Sequence, residues 1–350
     1  MFLEFPPLEA PVTPVDALRR IAFLLERSRA GTYRVEAFRN AVKTISTLSD
    51  QELNQRAKGK SLKELPGIGD ATAAVITQAL AGELPAYLGS LQVKDSEPLT
   101  HKGDELYAAL RGDLHMHSDW SDGGSPIQEM VLTCVELGQE WSALTDHSPR
   151  LTVANGLSAE RLKKQLAIVD GINASLGDRF RLLKGIEVDI LDEGELDQTE
   201  EMLGRLDVVT ASVHSKLRMN SAPMTRRMVA AVLNPRVNVL GHCTGQMVMG
   251  SRGKRPPSDF DAQAVFEACV EGNTAVEINS RPERVDPPDH LIELARDIGC
   301  TFTIDSDAHA PGQLSFKLLG CERAERLGIP PERIVTTWPV EKVLEWAAAR

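Results

Sequence analysis

The sequence predicts an α/β protein in which a small all-α domain precedes a larger domain of parallel strands and helices. Three observations lead to this reading. The length of 350 residues suits about two domains at roughly 150 residues each. The first 90 residues carry helical periodicity, and from Asp113 onward short apolar runs alternate with helix-like segments. Composition agrees: 42% hydrophobic and 25% charged residues are globular averages, which excludes a disordered, collagen-like or disulfide-scaffold chain.

In the N-terminal part, residues 14–30 place Leu18, Ile21, Ala22 and Leu25 at helical spacing, with Pro14 suited to a first turn. Residues 34–48 repeat the pattern with Val35, Phe38, Val42 and Ile45. Leu65-Pro66-Gly67-Ile68-Gly69 lies between SLKEL and DATAAVITQALAGEL, and its glycines permit a tight turn between two helices. That is the pattern of a helix-hairpin-helix. The amides of Gly67 and Gly69 and the N-terminus of the following helix can then meet a DNA phosphate without reading sequence. Residues 96–112 contain Pro98 and lack a strand pattern, which predicts a linker ending in a short helix. The expected division is a helical domain over 1–95, a linker over 96–112 and the larger domain over 113–350.

In the larger part, SALTD, RLLKGIEVDI, DVVTASVH, VNVLGH, TAVEINS and TFTIDSD read as strands, separated by helical stretches such as AERLKKQLAIVDGIN. Strand followed by helix, repeated, indicates a parallel barrel or sheet.

Net charge is −11, but it is unevenly spread. Residues 13–63 hold 11 basic against 5 acidic side chains, whereas residues 101–350 hold 27 against 38. The N-terminal module is therefore the expected contact for a polyanion. The five cysteines are scattered and form no C-x-x-C pair, so neither a disulfide framework nor a thiolate zinc site is expected. No apolar run of membrane-spanning length or secretory leader pattern is present in the sequence, so a cytoplasmic location with no membrane contact is expected.

Six of the eight histidines stand at or just beyond the predicted strand ends, where such folds assemble their sites. In Asp113-Leu114-His115-Met116-His117 the two imidazoles are two residues apart on an extended segment and leave the same face, as chelation of a cation requires. A lone H-x-H is weak evidence. Here it is joined by Asp122, His147, Glu187, His214, His242, Asp307 and His309. Six imidazoles and three carboxylates exceed the needs of one catalytic zinc ion, so two or three divalent ions are expected, and mixed nitrogen and oxygen ligands suit Zn, Mn or Fe. His101 and His290 are expected to be ordinary surface or core imidazoles.

H-x-H-S-x-W-S-D-G, T-D-H-S, G-I-E, S-V-H-S, G-H and S-D-A-H over residues 113–312 resemble the successive motifs of the PHP (polymerase and histidinol phosphatase) family. The resemblance implies a distorted (β/α)7 barrel with a trinuclear metal site. It implies His115, His117, Glu187 and Asp307 on one ion, Glu187 bridging to a second held by His214 and His242, and Asp122, His147 and His309 on a third. Some relatives have histidine where this chain has Asp122.

The VANGLS, SVHS and EINSRPER elements most resemble the PHP domain of bacterial family X DNA polymerases, whose N-terminal helix-hairpin-helix domain resembles residues 14–90. No palm-like aspartate pair lies between residues 90 and 112, so polymerisation is not implied. Lyase-competent versions of that domain carry a lysine where this chain has Val75, so Schiff-base chemistry is not expected either. Arg34 and Arg39 fall near positions that meet DNA phosphate in that domain type.

The expected reaction is metal-assisted phosphoester hydrolysis. Phosphate oxygens need fixed cationic donors. Lys216 and Arg284 are the expected catalytic cations, with Arg252, Arg255 and Arg281 on phosphate. The leading expectation is a 3′-to-5′ exonuclease or 3′-end-processing nuclease in DNA repair, gripping DNA through backbone phosphates and partnered by a repair polymerase. The alternative is a small-molecule phosphatase of the histidinol-phosphate type, which the acidity of residues 101–350 favours. A scaffolding protein without turnover ranks last, because the ligand set is complete.

Overall fold

A computed structural model describes residues 6–95, 98–250 and 253–349. The chain divides into two compact units, one of residues up to Pro98 with Ala310–Gln313, the other of Leu99–His309 and Leu314–Arg350. Residues from Leu99 onward thus pack with the larger unit, where the sequence predicts a linker over 96–112.

The smaller unit holds helices α1 (Pro14–Arg27), α2 (Thr32–Ile45), α3 (Asp50–Lys58), α4 (Asp70–Leu80) and α5 (Ala86–Lys94). Thr13 and Ser49 cap α1 and α3 by accepting from the Asp16 and Glu52 amides, and Pro14 occupies the first turn of α1. The predicted apolar stripes close one core of Leu18, Ile21, Leu25, Phe38, Val42, Ile45 and Ile76. The hairpin turn runs through Gly67, whose φ of +77° lies in the left-handed region that glycine reaches without a Cβ penalty.

The larger unit begins with α6 (Asp104–Ala109) and α7 (Ile127–Glu136). It continues through β1 (Trp141–Leu144), α8 (Ala159–Leu176), β2 (Arg181–Asp189), α9 (Glu200–Leu203), β3 (Val208–Ser212), α10 (Ser221–Val232), β4 (Val239–Leu240) and α11 (Ala262–Glu271). β5 (Ala275–Asn279), α12 (Asp289–Ile298), β6 (Phe302–Asp305), α13 (Lys317–Arg326) and α14 (Val340–Ala348) complete it. The six strands are parallel and ordered β1 to β6, one overlapping each predicted strand segment. In place of the seventh strand implied by the family resemblance, the segment around Met116 bridges Leu144 on the edge strand β1 and Ala308 just past the other edge strand, β6. Its pairing is too short to count as a strand, but it joins the two edges of the sheet.

Alternation along each strand sorts the side chains. Ile186, Val188, Val209, Ala211, Val276, Ile278, Phe302 and Ile304 pack outward in the core under the helices. The opposite face starts apolar: Leu183, Val208, Val239 and Ala275 pack with Val335, Val343 and Trp346. Toward the strand C-termini the same face turns polar, with Glu187, Ser212, Glu277, Asn279 and Asp305 all buried. Buried polar groups persist only when they are satisfied or charge-paired, so this end of the sheet is where a site is built. Among the described residues, no helix is long and apolar enough to cross a membrane.

Candidate metal centre

All nine expected ligands meet at this end of the sheet. They form four overlapping groups: His117, Asp122, His147 and His309; His115, His242 and Asp307; His115, His117 and Glu187; and His147, Glu187 and His214. Within each group the ligand atoms lie within 4.8 Å of one another. The hub is Glu187, in the C-terminal half of β2. Its Oε2 faces His147 Nδ1 at 2.8 Å, His115 Nε2 at 3.3 Å and His117 Nε2 at 3.6 Å. Its Oε1 faces His242 Nε2 at 2.9 Å and His214 Nε2 at 3.2 Å. Asp122 Oδ1 stands 3.4 Å from His147 Nε2 and 3.3 Å from His309 Nε2.

Local structure explains how these side chains converge. His147 lies just past β1, His214 just past β3 and His242 just past β4, so parallel strands deliver them to one end. A Cβ on Gly241 would stand 2.4 Å from Ser212 Oγ, so glycine lets the chain pass beside β3 into His242 without displacing that hydroxyl. The loop carrying Asp122 is tied down by buried Asp146, which accepts from the Ser118 amide, the Ser118 and Ser121 hydroxyls and Gln165 Nε2. Asp307 adopts φ +50°, a left-handed conformation uncommon for a non-glycine residue and typical of functional corners.

The electrostatics suit cations. Burial works against ionisation of Glu187, yet His115, His214 and His147 outweigh it and hold the carboxyl well below its ordinary range. Asp307 is likewise held far down against burial by Arg284, Arg281 and His115. Burial disfavours a charged His214, but Glu187 and Asp189 prevail and raise it to about 9. For His117, burial joined by His309 and His147 lowers it to about 3. The donor set also passes a chemical test of fit. Buried His115 Nε2, both ring nitrogens of His117 and of His214, His147 Nδ1, His242 Nδ1 and Glu187 Oε2 lack a hydrogen-bond partner. Unsatisfied buried lone pairs cost about 1–3 kcal/mol each, and divalent cations of the Zn, Mn or Fe type satisfy nitrogen and carboxylate donors together.

The expected cations divide differently. Arg281 reaches the cluster, its guanidinium 3.1 Å from His309 Nδ1 and 3.6 Å from Asp307 Oδ1. Arg284, expected as a free phosphate donor, instead gives its Nε to Asp307 Oδ2 at 2.9 Å; its first task is to hold that carboxylate. Arg255 gives its Nε to the Gly245 carbonyl at 2.6 Å. Lys216, also expected to act in catalysis, sits at an exposed turn with its ammonium on Asp192, the lysine side chain 63% exposed. Asp192 thus partners it at the surface. Arg252 lies outside the described residues.

In the smaller unit the two arginines part company. Arg34 is exposed, with its guanidinium 5.5 Å from the centroid of the Tyr87 ring. Arg39, expected on DNA phosphate, is buried in a two-pronged ion pair with Glu26; helix packing turns it inward. Gly67 and Gly69 are exposed at the hairpin, but the Gly69 amide donates to Thr72 Oγ1 at 3.0 Å. That amide is satisfied within the turn.

Glu277, Asn279, Asp146 and Asp189 were not among the expected site residues. Glu277 and Asn279 stand two apart on β5, as do Glu187 and Asp189 on β2. Polar residues at period two within an otherwise apolar strand are the signal that was available.

The C-terminal end of the parallel sheet thus gathers a histidine and carboxylate cluster that could hold divalent ions. The PHP domain model matches residues 113–281 and a helix-hairpin-helix domain model matches residues 13–83, so the chain joins these two domains.

Among curated proteins, it is 41% identical over 200 residues to the DNA polymerase/3′-5′ exonuclease PolX of Bacillus subtilis, covering 57% of this chain and 34% of that protein. The chain thus spans about a third of the length of that relative. A probable phosphatase of Aeromonas hydrophila is 29% identical over 65% of this chain and 89% of its own length. Among solved structures, the histidinol phosphate phosphatase of Lactococcus lactis, complexed with zinc, L-histidinol and phosphate, aligns with a TM-score of 0.44 at 18% identity, covering 62% of this chain and 92% of that one.

Proposed function

We propose that this protein is a metal-dependent phosphoesterase acting on DNA, as a 3′-to-5′ exonuclease or a nuclease that processes 3′ ends in repair. The observation that carries the reading is the presence, in one chain, of a nine-residue histidine and carboxylate cluster and a helix-hairpin-helix domain. The name of the Bacillus relative, with its 3′-5′ exonuclease activity, supports DNA as substrate. When bound, two or three divalent ions supply the charge that activates water and stabilises a phosphoryl oxyanion. Glu187, Asp122 and the imidazoles would hold the ions, and Asp307, steadied by Arg284, would complete the set. Arg281 at the cluster adds a guanidinium for a phosphate oxygen. Arg34 and the hairpin grip DNA through backbone phosphates, and a partner polymerase supplies synthesis.

A second reading, hydrolysis of small phosphomonoesters of the histidinol-phosphate type, draws on one observation: the probable phosphatase relative is matched over nearly its whole length. The two readings separate in one assay. Mn-loaded protein is given 5′-labelled duplex DNA with a recessed 3′ end, beside a Glu187→Ala control. Shortening from the 3′ end, absent in the control, is the expected result. Intact DNA with turnover of histidinol phosphate would overturn the nuclease reading in favour of the second.

A further inference from the structure

Every strand of the sheet except β5 delivers an expected metal ligand within its own span or in the residues immediately after it. What β5 brings to the same end is Glu277, fully buried, and Asn279. Three donors converge on the Glu277 carboxylate. Its Oε1 lies 2.5 Å from His115 Nδ1, while its Oε2 accepts from the His242 amide at 2.5 Å and from Asn279 Nδ2 at 3.2 Å. The orientation of the Asn279 amide is set independently, because its Oδ1 accepts from the Arg281 amide at 3.1 Å. Its Nδ2 therefore faces the carboxylates, and it also donates to Asp307 Oδ2 at 3.0 Å.

This arrangement has two chemical consequences. A carboxylate is an acceptor only, so His115 must carry a proton on Nδ1, which leaves Nε2, the nitrogen facing Glu187, as the lone pair for a cation. Asp307 Oδ2 is occupied by Asn279 and Arg284, so only Oδ1, 3.5 Å from His117 Nε2, is left to bind an ion. An amide cannot replace Glu277. Turned one way it would set its NH2 against the His242 amide; turned the other way it would donate to His115 Nδ1 and move that ring's proton onto Nε2.

We propose that Glu277 and Asn279 are positioning residues of the metal centre, the carboxylate fixing the metal-binding tautomer of His115 and the amide, together with Arg284, leaving Asp307 one free oxygen. This rests on the metal-centre reading above and adds to it a brace joining ligands from three separate parts of the chain.

The test is titration of the full-length, metal-stripped protein with Co(II), followed by its visible absorption, for wild type, Glu277→Gln and Asn279→Ala, with thermal unfolding of each metal-free protein alongside. Glu277→Gln should lose about 10- to 100-fold in Co(II) affinity, the usual cost of removing a carboxylate that orients a ligating histidine. Asn279→Ala should keep the stoichiometry but change the visible band, as Asp307 Oδ2 is then held by Arg284 alone and the carboxylate can turn toward an ion. Should Glu277→Gln not fold, the Asn279→Ala spectrum decides. Wild-type affinity and spectrum in both variants, even with lowered unfolding temperatures, would reduce the pair to fold stabilisers and overturn the proposal. A wild-type protein that takes up no Co(II) would instead overturn the metal-centre reading, and the brace with it.

Discussion

Arg39 on α2 reaches Glu26 on α1 with both prongs of its guanidinium, Nε to Oε1 at 2.8 Å and NH2 to Oε2 at 2.7 Å, and both side chains are buried. Removing one partner of such a pair strands a charge in the core, which costs about 3–5 kcal/mol. Arg39→Ala should therefore lower the unfolding free energy obtained from urea titration by that amount, while the protein that remains folded keeps its DNA affinity. A loss of affinity with unchanged stability would return Arg39 to the DNA surface.

Arg34 is expected to behave in the opposite way. It is exposed and leans over Tyr87, so Arg34→Ala should leave unfolding unchanged. Fluorescence anisotropy with a labelled duplex should show weaker binding and a logarithmic salt dependence shallower by about one unit.

The hub position of Glu187 makes it the strictest test of the cluster. Because both its oxygens face imidazoles, Glu187→Gln or His117→Ala should reduce hydrolysis to background. Chelator treatment of the wild type should do the same, with activity returning on addition of Mn or Zn. DNA binding, measured separately, should survive in both variants. Lys216→Ala is the contrasting case: its pair with Asp192 is exposed, so hydrolysis should stay within about twofold.

The histidines set a pH optimum for the metal-free protein. His117 is held at about 3, below the unfolded value near 6.5, so the unfolded chain binds the extra proton and stability is lost as pH falls from 6.5 toward 3. His214 is raised to about 9, so its contribution is complete below 6.5 and is lost as pH rises through 9. Thermal unfolding of the stripped protein should therefore peak near pH 6.5. Metal binding must displace the proton on His214, so affinity should climb with pH and level off above about 9. Calorimetry in buffers of different ionisation heat should register that proton release at pH 7.5 and less of it at pH 10.

The clustering of the expected ligands was legible because histidine and carboxylate side chains punctuate the ends of apolar strands, and parallel strands necessarily bring their C-terminal ends together. The helices of the smaller unit were legible for a similar reason: Leu18, Ile21 and Leu25 recur at the period of a single helix, a property of local sequence. What lay beyond reach were contacts made across elements. Nothing local distinguishes Arg34 from Arg39; only the packing of α1 against α2 buries one with Glu26 and leaves the other at the surface. Arg284 looked like a phosphate donor until the corner after β6 placed Asp307 against it. Glu277 meets His115 across 162 positions of sequence. The sequence alone determined which residues could bind cations and at which strand ends they stand, because residue type and periodicity are local. Which charged side chains remain available and which pair with one another depends on packing across elements, because a side chain's partner is set by distance in space.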